Sequence, residues 1–340
     1  MNKFIKKKVF IGIDISKDYL DLALLREDSY GRFDDKKAAN SFQGFDQIED
    51  WLVKKKIEFS ECVFCMEHTG THGLLLFAWL GQMGFDYVVE PALKIKRCLG
   101  ITRGKSDKLD ARRIADYAYT YKAKLEPFCL PSTVLLQIKQ LLTYRDQLTK
   151  MNTSFKNSLK SHDQYKRVSG LQSISEEIKS QIRNLEIRIK NIEEQIIELI
   201  RSDETIKKNY ELATSVKGIG FVIATFMLVT TNNFTGFEDG RKYACYSGIA
   251  PFEHTSGSSI KGQTKVSNLA NKRVKTILSN GANSACQWDP ELKAYYKRKI
   301  AEGKEHKLII NTISYKLVTR VFAVVKRQTP YVKIYAQNFA

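Results

Sequence analysis

Nine apolar residues recur in steps of three or four between Leu171 and Leu199: Leu171, Ile174, Ile178, Ile182, Leu185, Ile189, Ile192, Ile196 and Leu199. With Glu, Lys, Arg and Gln between them, they form a near-heptad stripe that an α-helix presents on one face. An earlier run at helical spacing, Val134 to Leu159, carries Ile138, Leu141, Leu142, Leu148, Met151 and Phe155 and ends in a polar break around Ser161 to Gly170. A narrow stripe this long needs a partner stripe. The pattern predicts a coiled coil or a long helical hairpin, and we expect it to pair between copies of the chain rather than act as an internal spacer.

The first 120 residues read differently, as alternating strands and helices. VFIGIDIS, from Val9 to Ser16, puts Val9, Ile11, Ile13 and Ile15 on one face and Phe10, Gly12, Asp14 and Ser16 on the other. Further strands are expected at Tyr19–Leu25, Cys62–Met66 and Tyr87–Val89, and helices at 43–56, Leu74–Met83, after Pro91, and at Lys105–Tyr121. Beyond Tyr210 the chain is mostly helical and basic, ending in an amphipathic helix from Leu308 to Lys326. We therefore expect an α/β plus α protein in three parts: 1–126, a helical region 127–208, and 209–340.

Composition narrows the partners. The 340 residues include 55 Lys plus Arg against 37 Asp plus Glu, a formal charge of +18, and 43% are hydrophobic. That is a folded chain suited to a polyanion, nucleic acid first. No run approaches the length of apolar sequence a membrane span requires, and the apolar stretch at the N-terminus stops at Asp14, too short for a signal peptide. The six cysteines have no regular spacing, so a reducing, cytoplasmic location without disulfides is expected. Cys62-x-x-Cys65 lies inside an apolar strand with no second ligand pair and reads as buried thiols, and Trp51, Trp79 and Trp288 as core or interface residues.

Four carboxylates stand out. Asp14 is mid-strand on the face opposite the isoleucines, Glu67 ends the strand at Met66, and Asp107 and Asp110 share a helix face at i and i+3. Singly each has a bland reading: a solvated strand face, or acids favoured at a helix N-terminus. Together they are the oxygen ligands that hard divalent cations need at a scissile phosphate. Lys94, Lys96, Arg97, Arg103, Lys105, Lys108, Arg112 and Arg113 surround the acid pair with cations suited to a phosphate backbone.

GIDISKDYLDLAL, MEHTG and KSDKLDARRIADYA, in this order, resemble the DEDD transposases of the insertion-sequence one-ten group and their Piv-type DNA invertase relatives. The resemblance implies a RuvC-like ribonuclease-H fold for the N-terminal domain, with Asp14, Glu67, Asp107 and Asp110 binding Mg²⁺ or Mn²⁺. It implies a C-terminal transposase domain as well. CYSGIAPFEHTSGSSIKGQTKVSNLANKRVK is similar to the family's second signature, although Asn268, Ala270 and Lys275 depart from its commoner pattern. By that similarity the nucleophile is Ser256. The residues alone do not separate it from Ser247, Ser258 or Ser259, and a Ser/Gly cluster reads by default as a flexible loop.

The family also implies a serine–DNA covalent intermediate and an active site composed from two protomers. It implies a structured guide RNA, and a dimer or tetramer acting on donor and target DNA near the nucleoid. Gly218 and Gly220 look like a helix-hairpin-helix turn, with Lys261, Lys265, Lys272, Arg273 and Lys275 as further nucleic-acid contacts. No P-loop is present, so ATP is not expected to drive the reaction. The rival readings are a RuvC-like junction nuclease that uses water, and a non-catalytic nucleic-acid-binding protein.

Overall fold

The alternating run at the N-terminus becomes the central strand of a mixed sheet. In the computed structural model the described residues are 2–98, 100, 104, 106–169, 172–256 and 260–332, with the side chains at 166–169, 172, 254–256 and 260–264 outside the description. The chain divides into two compact units, Met1–Leu130 and Pro131–Ala340.

In the first unit β1 (Val9–Ile15), β2 (Tyr19–Arg26) and β3 (Phe33–Ala39) make an antiparallel meander. β4 (Cys62–Glu67) and β5 (Tyr87–Glu90) extend the sheet in parallel on the other side of β1, giving the order β3-β2-β1-β4-β5. This is the strand order and direction of the ribonuclease-H fold. The two faces of β1 divide as its alternation dictates. Ile11, Ile13 and Ile15 pack with Phe45, Ile48 and Leu52 of α1 (Phe42–Lys54) and Leu76 and Leu80 of α2 (Leu74–Gln82). After the short α3 (Ala92–Cys98) comes α4 (Asp107–Thr120), whose Ala111, Ile114, Ala115 and Ala118 pack with Phe10, Val63, Cys65 and Val88 on the opposite face.

Gly12 controls how close α4 can come. A Cβ there would lie 2.1 Å from the Ala111 carbonyl oxygen and 2.3 Å from the Ala115 nitrogen. Helix backbone therefore rests directly on strand backbone, two residues before Asp14 and one turn beyond Asp107 and Asp110. Ser106 starts the helix, its Oγ accepting from the Leu109 N–H at 3.3 Å.

The second unit opens with a helical hairpin, α5 (Thr133–Ser169) and α6 (Gln172–Arg201). Ion pairs Arg145–Glu193 (2.6 Å) and Lys156–Glu186 (2.7 Å) occur in opposite order along the two helices, so they are antiparallel. The expected break does not appear up to Ser169: α5 stays helical to that residue, and the described polar side chains at 161–165 coat a mostly exposed stretch of helix; Gly170 lies outside the described residues. Ile178, Ile182, Leu185, Ile192 and Ile196 are all buried within the single chain, and Leu185, Ile192 and Ile196 cluster with Leu135, Ile138, Leu142 and Leu148 of α5. The partner stripe is thus intramolecular, which removes the ground for expecting this seam to join protomers.

α7 (Glu204–Thr214), α8 (Phe221–Thr230) and α9 (Gly240–Tyr246) lead to a two-stranded ribbon of β6 (Pro251–Ser256) and β7 (Ile260–Val266). α10 (Lys272–Trp288), α11 (Pro290–Ala301) and α12 (His306–Arg327) complete the unit. α12 is long and apolar enough to cross a membrane by composition, but half of its most apolar window is buried, with Ile313, Leu317 and Val321 in the core beside α10. It is a core helix.

Gly12→Ala is expected to destabilise the first unit by about 1–3 kcal/mol, as overpacking does. Urea unfolding measures this, and the loss follows because the added methyl meets backbone that cannot rotate aside.

Candidate active site

The sheet brings acids to one end of one face. Asp14 has the parity of Phe10 and Gly12 in β1, and Glu67 that of Val63 and Cys65 in β4, so both project toward α4. Asp107 and Asp110 occupy the first turn of that helix. Burial, then the charges of Asp107, Asp110 and Asp21, push the Asp14 carboxyl above the usual carboxylate range, with a partial offset from the Ile15 backbone. Glu67 is pushed up likewise, by burial and then by Asp14 and Asp110. The four expected carboxylates thus form one field of mutually repelling charge.

That field suits a hard divalent cation, since every donor is a carboxylate oxygen. Two residues past Glu67 in sequence, the buried Thr69 hydroxyl has no hydrogen-bond partner. As placed, no three acidic, imidazole or thiol side chains among the described residues are close enough to share one ion. Asp110 meanwhile accepts from Arg113 at 2.7 Å. The donor chemistry and the electrostatics fit a metal, and binding one requires the carboxylates to draw in and Arg113 to yield.

Three of the basic residues expected to meet nucleic acid around α4, Lys108, Arg112 and Arg113, are engaged within the protein. Asp35 on β3 binds Lys108 at 2.9 Å and Arg112 Nε at 2.8 Å, and the Arg112 and Lys108 bonds hold the Asp35 carboxyl below its ordinary range. Arg113 also reaches the Gly104 carbonyl, at 3.0 Å. Lys105 lies outside the described residues.

The sequence reading also passed over Glu90. It ends β5 beside Glu67 in register, is 6% exposed, and accepts from Lys94 (2.6 Å) and the Tyr117 hydroxyl (3.2 Å). The signal was available: YVVE closes an apolar strand on a glutamate just as CVFCME does. His68 beside the site is fixed by backbone, its N–H donating to the Glu90 carbonyl at 3.0 Å and its Nδ1 accepting from Gly70. Cys62 and Cys65 are buried free thiols, and burial pushes Cys62 up to about 12.

In the second unit Ser256 is the last residue of β6, its backbone paired in register with Ile260, so the described residues on either side of the Ser/Gly cluster form a ribbon, and the cluster's residues 257–259 lie outside the described residues. The side chains of Ser256 and Lys261, and all of Ser258 and Ser259, lie outside the description. Ser247 is buried and donates to the Tyr243 carbonyl at 2.7 Å. Gly218 and Gly220 have different roles. Gly218 has φ +95° and packs against α10, where a Cβ would come within 2.8 Å of the Gly281 carbonyl oxygen. Gly220 precedes α8 with open space around it. Gly218 is thus accounted for by helix packing. Arg273 pairs with Asp146, whereas Lys265 and Lys272 are exposed and Lys275 is half-buried.

Residues 11–164 match a family model described as a transposase, of the IS110 DEDD type, and residues 210–297 match that of the IS116/IS110/IS902 transposase family. The four carboxylates fall in the first match and Ser256 in the second. The chain is 26% identical to the pilin gene-inverting protein of Moraxella bovis, over 96% of this chain and 98% of that protein. It is 23% identical to the transposase for insertion sequence element IS1533 of Leptospira borgpetersenii, over 69% of this chain and 73% of that one. Among solved structures, T. thermophilus RuvC in complex with Holliday junction substrate covers 36% of this chain and 99% of that chain at 13% identity. Its TM-score of 0.28 is too low to argue from.

The raised Asp14 carboxyl gives a stability prediction. A carboxyl whose folded pKa exceeds its unfolded value weakens the fold once pH rises past the folded value, and the deficit vanishes below the unfolded one. Asp14→Asn should therefore raise the melting midpoint at neutral pH, by about 2–4 °C for each kcal/mol of repulsion removed. The gain should shrink as the pH falls toward the unfolded carboxyl's range. Scanning calorimetry across pH checks both.

Proposed function

The chain belongs to the IS116/IS110/IS902 transposase family, and from that premise we propose that it cuts and rejoins DNA strands through a serine–phosphate intermediate, with Mg²⁺ or Mn²⁺. It is a DNA transposase or recombinase by class, and its cytoplasmic, nucleoid-associated location follows from its substrate. The observation that supports the chemistry best is the field of four carboxylates at the end of the sheet, made by α4 lying against β1.

In this reading Asp14, Glu67, Asp107 and Asp110 would hold the metal, which when bound polarises the scissile phosphate and neutralises charge in the transition state. Ser256 attacks phosphorus. Its Oγ–P bond forms as the phosphorus–sugar oxygen bond breaks, the hydroxyl proton leaves, and the departing sugar oxygen gains one. The phosphoserine conserves the energy of the broken diester, so rejoining needs no ATP. If Asp110 releases Arg113 for metal, the guanidinium loses that carboxylate and can instead turn its donors to a phosphate held nearby.

Exchange between donor and target requires two cut ends to be held at once, so the working form is a homo-oligomer, dimer or tetramer. A structured guide RNA fits the +18 charge and is the component by which pairing would select sequence.

A nicked DNA substrate that traps the cut end tests this. The parent chain with Mg²⁺ should yield a covalent protein–DNA adduct mapping to Ser256. Ser256→Ala should lose adduct and cleavage while DNA affinity stays within about twofold, since affinity comes from phosphate neutralisation. Cleavage persisting in Ser256→Ala with free ends would instead establish attack by water.

A further inference from the structure

α10, α11 and the start of α12 enclose a cleft of about 310 Å³ lined by Asn283, Gln287, Lys293, Tyr296, Lys297 and His306 among others, none of them a carboxylate. The spacing sets the lining. Asn283 and Gln287 are four apart on α10, and Lys293 and Lys297 four apart on α11, so each pair shares a helix face. Tyr296 Oη and His306 Nδ1 are 2.9 Å apart with their rings edge to face, which fixes one wall. The nearest acids before the lysines are turned elsewhere: Asp289 and Glu291 bind Arg320 at 3.1 and 2.7 Å.

Tyr296 and His306 satisfy each other in this cleft, while its amide and ammonium groups are left for a ligand. Lys108, Arg112, Arg113 and Arg273 are all in ion pairs. Among the described residues, the Asn283 and Gln287 amides and the Lys293 and Lys297 ammonium groups make no intramolecular hydrogen bond or ion pair. Trp288, the residue after Gln287, is 70% exposed, so of the two expected settings, core or interface, it is not in the core. Lys217 Nζ lies 3.5 Å from its carbonyl oxygen.

We infer that this cleft is a binding subsite for an unpaired nucleotide of single-stranded nucleic acid, an inference that rests on the nucleic-acid reading above. Each group has a partner on such a ligand. Side-chain amides offer a donor and an acceptor to a base edge, which a paired base has already committed. The lysines offer point charges to the flanking phosphates. An open tryptophan face stacks an adjacent base with little regard to sequence. The volume is at the small end for ligand sites, the scale of a nucleotide rather than a duplex.

Fluorescence anisotropy with the full chain tests it, using labelled single strands of DNA and of RNA and the corresponding DNA duplex. The four substituted side chains are exposed, and melting midpoints verify that each variant folds. Asn283→Ala with Gln287→Ala should weaken the favoured single strand roughly tenfold, the scale of one lost base contact, and leave duplex affinity within about twofold. Lys293→Ala with Lys297→Ala should lower the salt slope for that strand by about 0.7 per lost phosphate contact. The strand that responds names the source, DNA or RNA. Equal effects on single strand and duplex, or no effect on either, overturn the subsite while leaving the functional reading intact. A parent chain that binds none of the three probes overturns both.

Discussion

The backbone contact of α4 on β1 at Gly12 is the constraint on which the rest of the first unit depends. A side chain at that point would hold the helix off by the width of a methyl group, since its Cβ would fall 2.1 Å from the Ala111 carbonyl oxygen. With glycine there, Asp107 and Asp110 come near enough to Asp14 for their charges to raise its carboxyl. The core is organised around the same contact. Ala111, Ala115 and Ala118 keep the helix face flat where it lies on the sheet, and larger side chains fill the space around it.

Electrostatics are handled in opposite ways on the two sides of α4. Toward the sheet end, acids face acids. Toward β3, the cations of the same helix are neutralised by Asp35. A cluster of like charge weakens a fold, and the proposed metal-binding role gives a reason for keeping it. Arg113 is the exception, because it reaches into the acidic group. In the second unit, among the described residues, Lys293 and Lys297 are in no ion pair and remain available to a polyanion.

Much of this was legible in the sequence because strands and helices leave different periods. The isoleucines of β1 pointed to a two-sided central strand, and the strand-ending Glu67 and the i, i+3 acids of α4 were visible as a set. β3 was not. FDDKKAA is an edge strand with only Ala38 buried, so it carries no alternation to read. The α6 stripe was read correctly as a seam, but its partner could not be. α5 supplies the matching face, and its polar stretch looks like a break because the described side chains at 161–165 are mostly exposed. Gly12 was visible only as a member of Asp14's face, because close approach is a property of two elements and neither sequence segment contains it. Glu90 ends β5 with the same strand-end pattern as Glu67. The exposure of Trp288, which residue type alone does not report, leaves the interface, not the core, as its expected setting.

The most direct measurement is the anomalous difference density of crystals grown with Mn²⁺ and bound DNA. The account predicts manganese between Asp14, Glu67, Asp107 and Asp110, with Arg113 swung off Asp110. A map with manganese bound elsewhere, and Asp110 still held by Arg113 beside an ordered scissile phosphate, would contradict it.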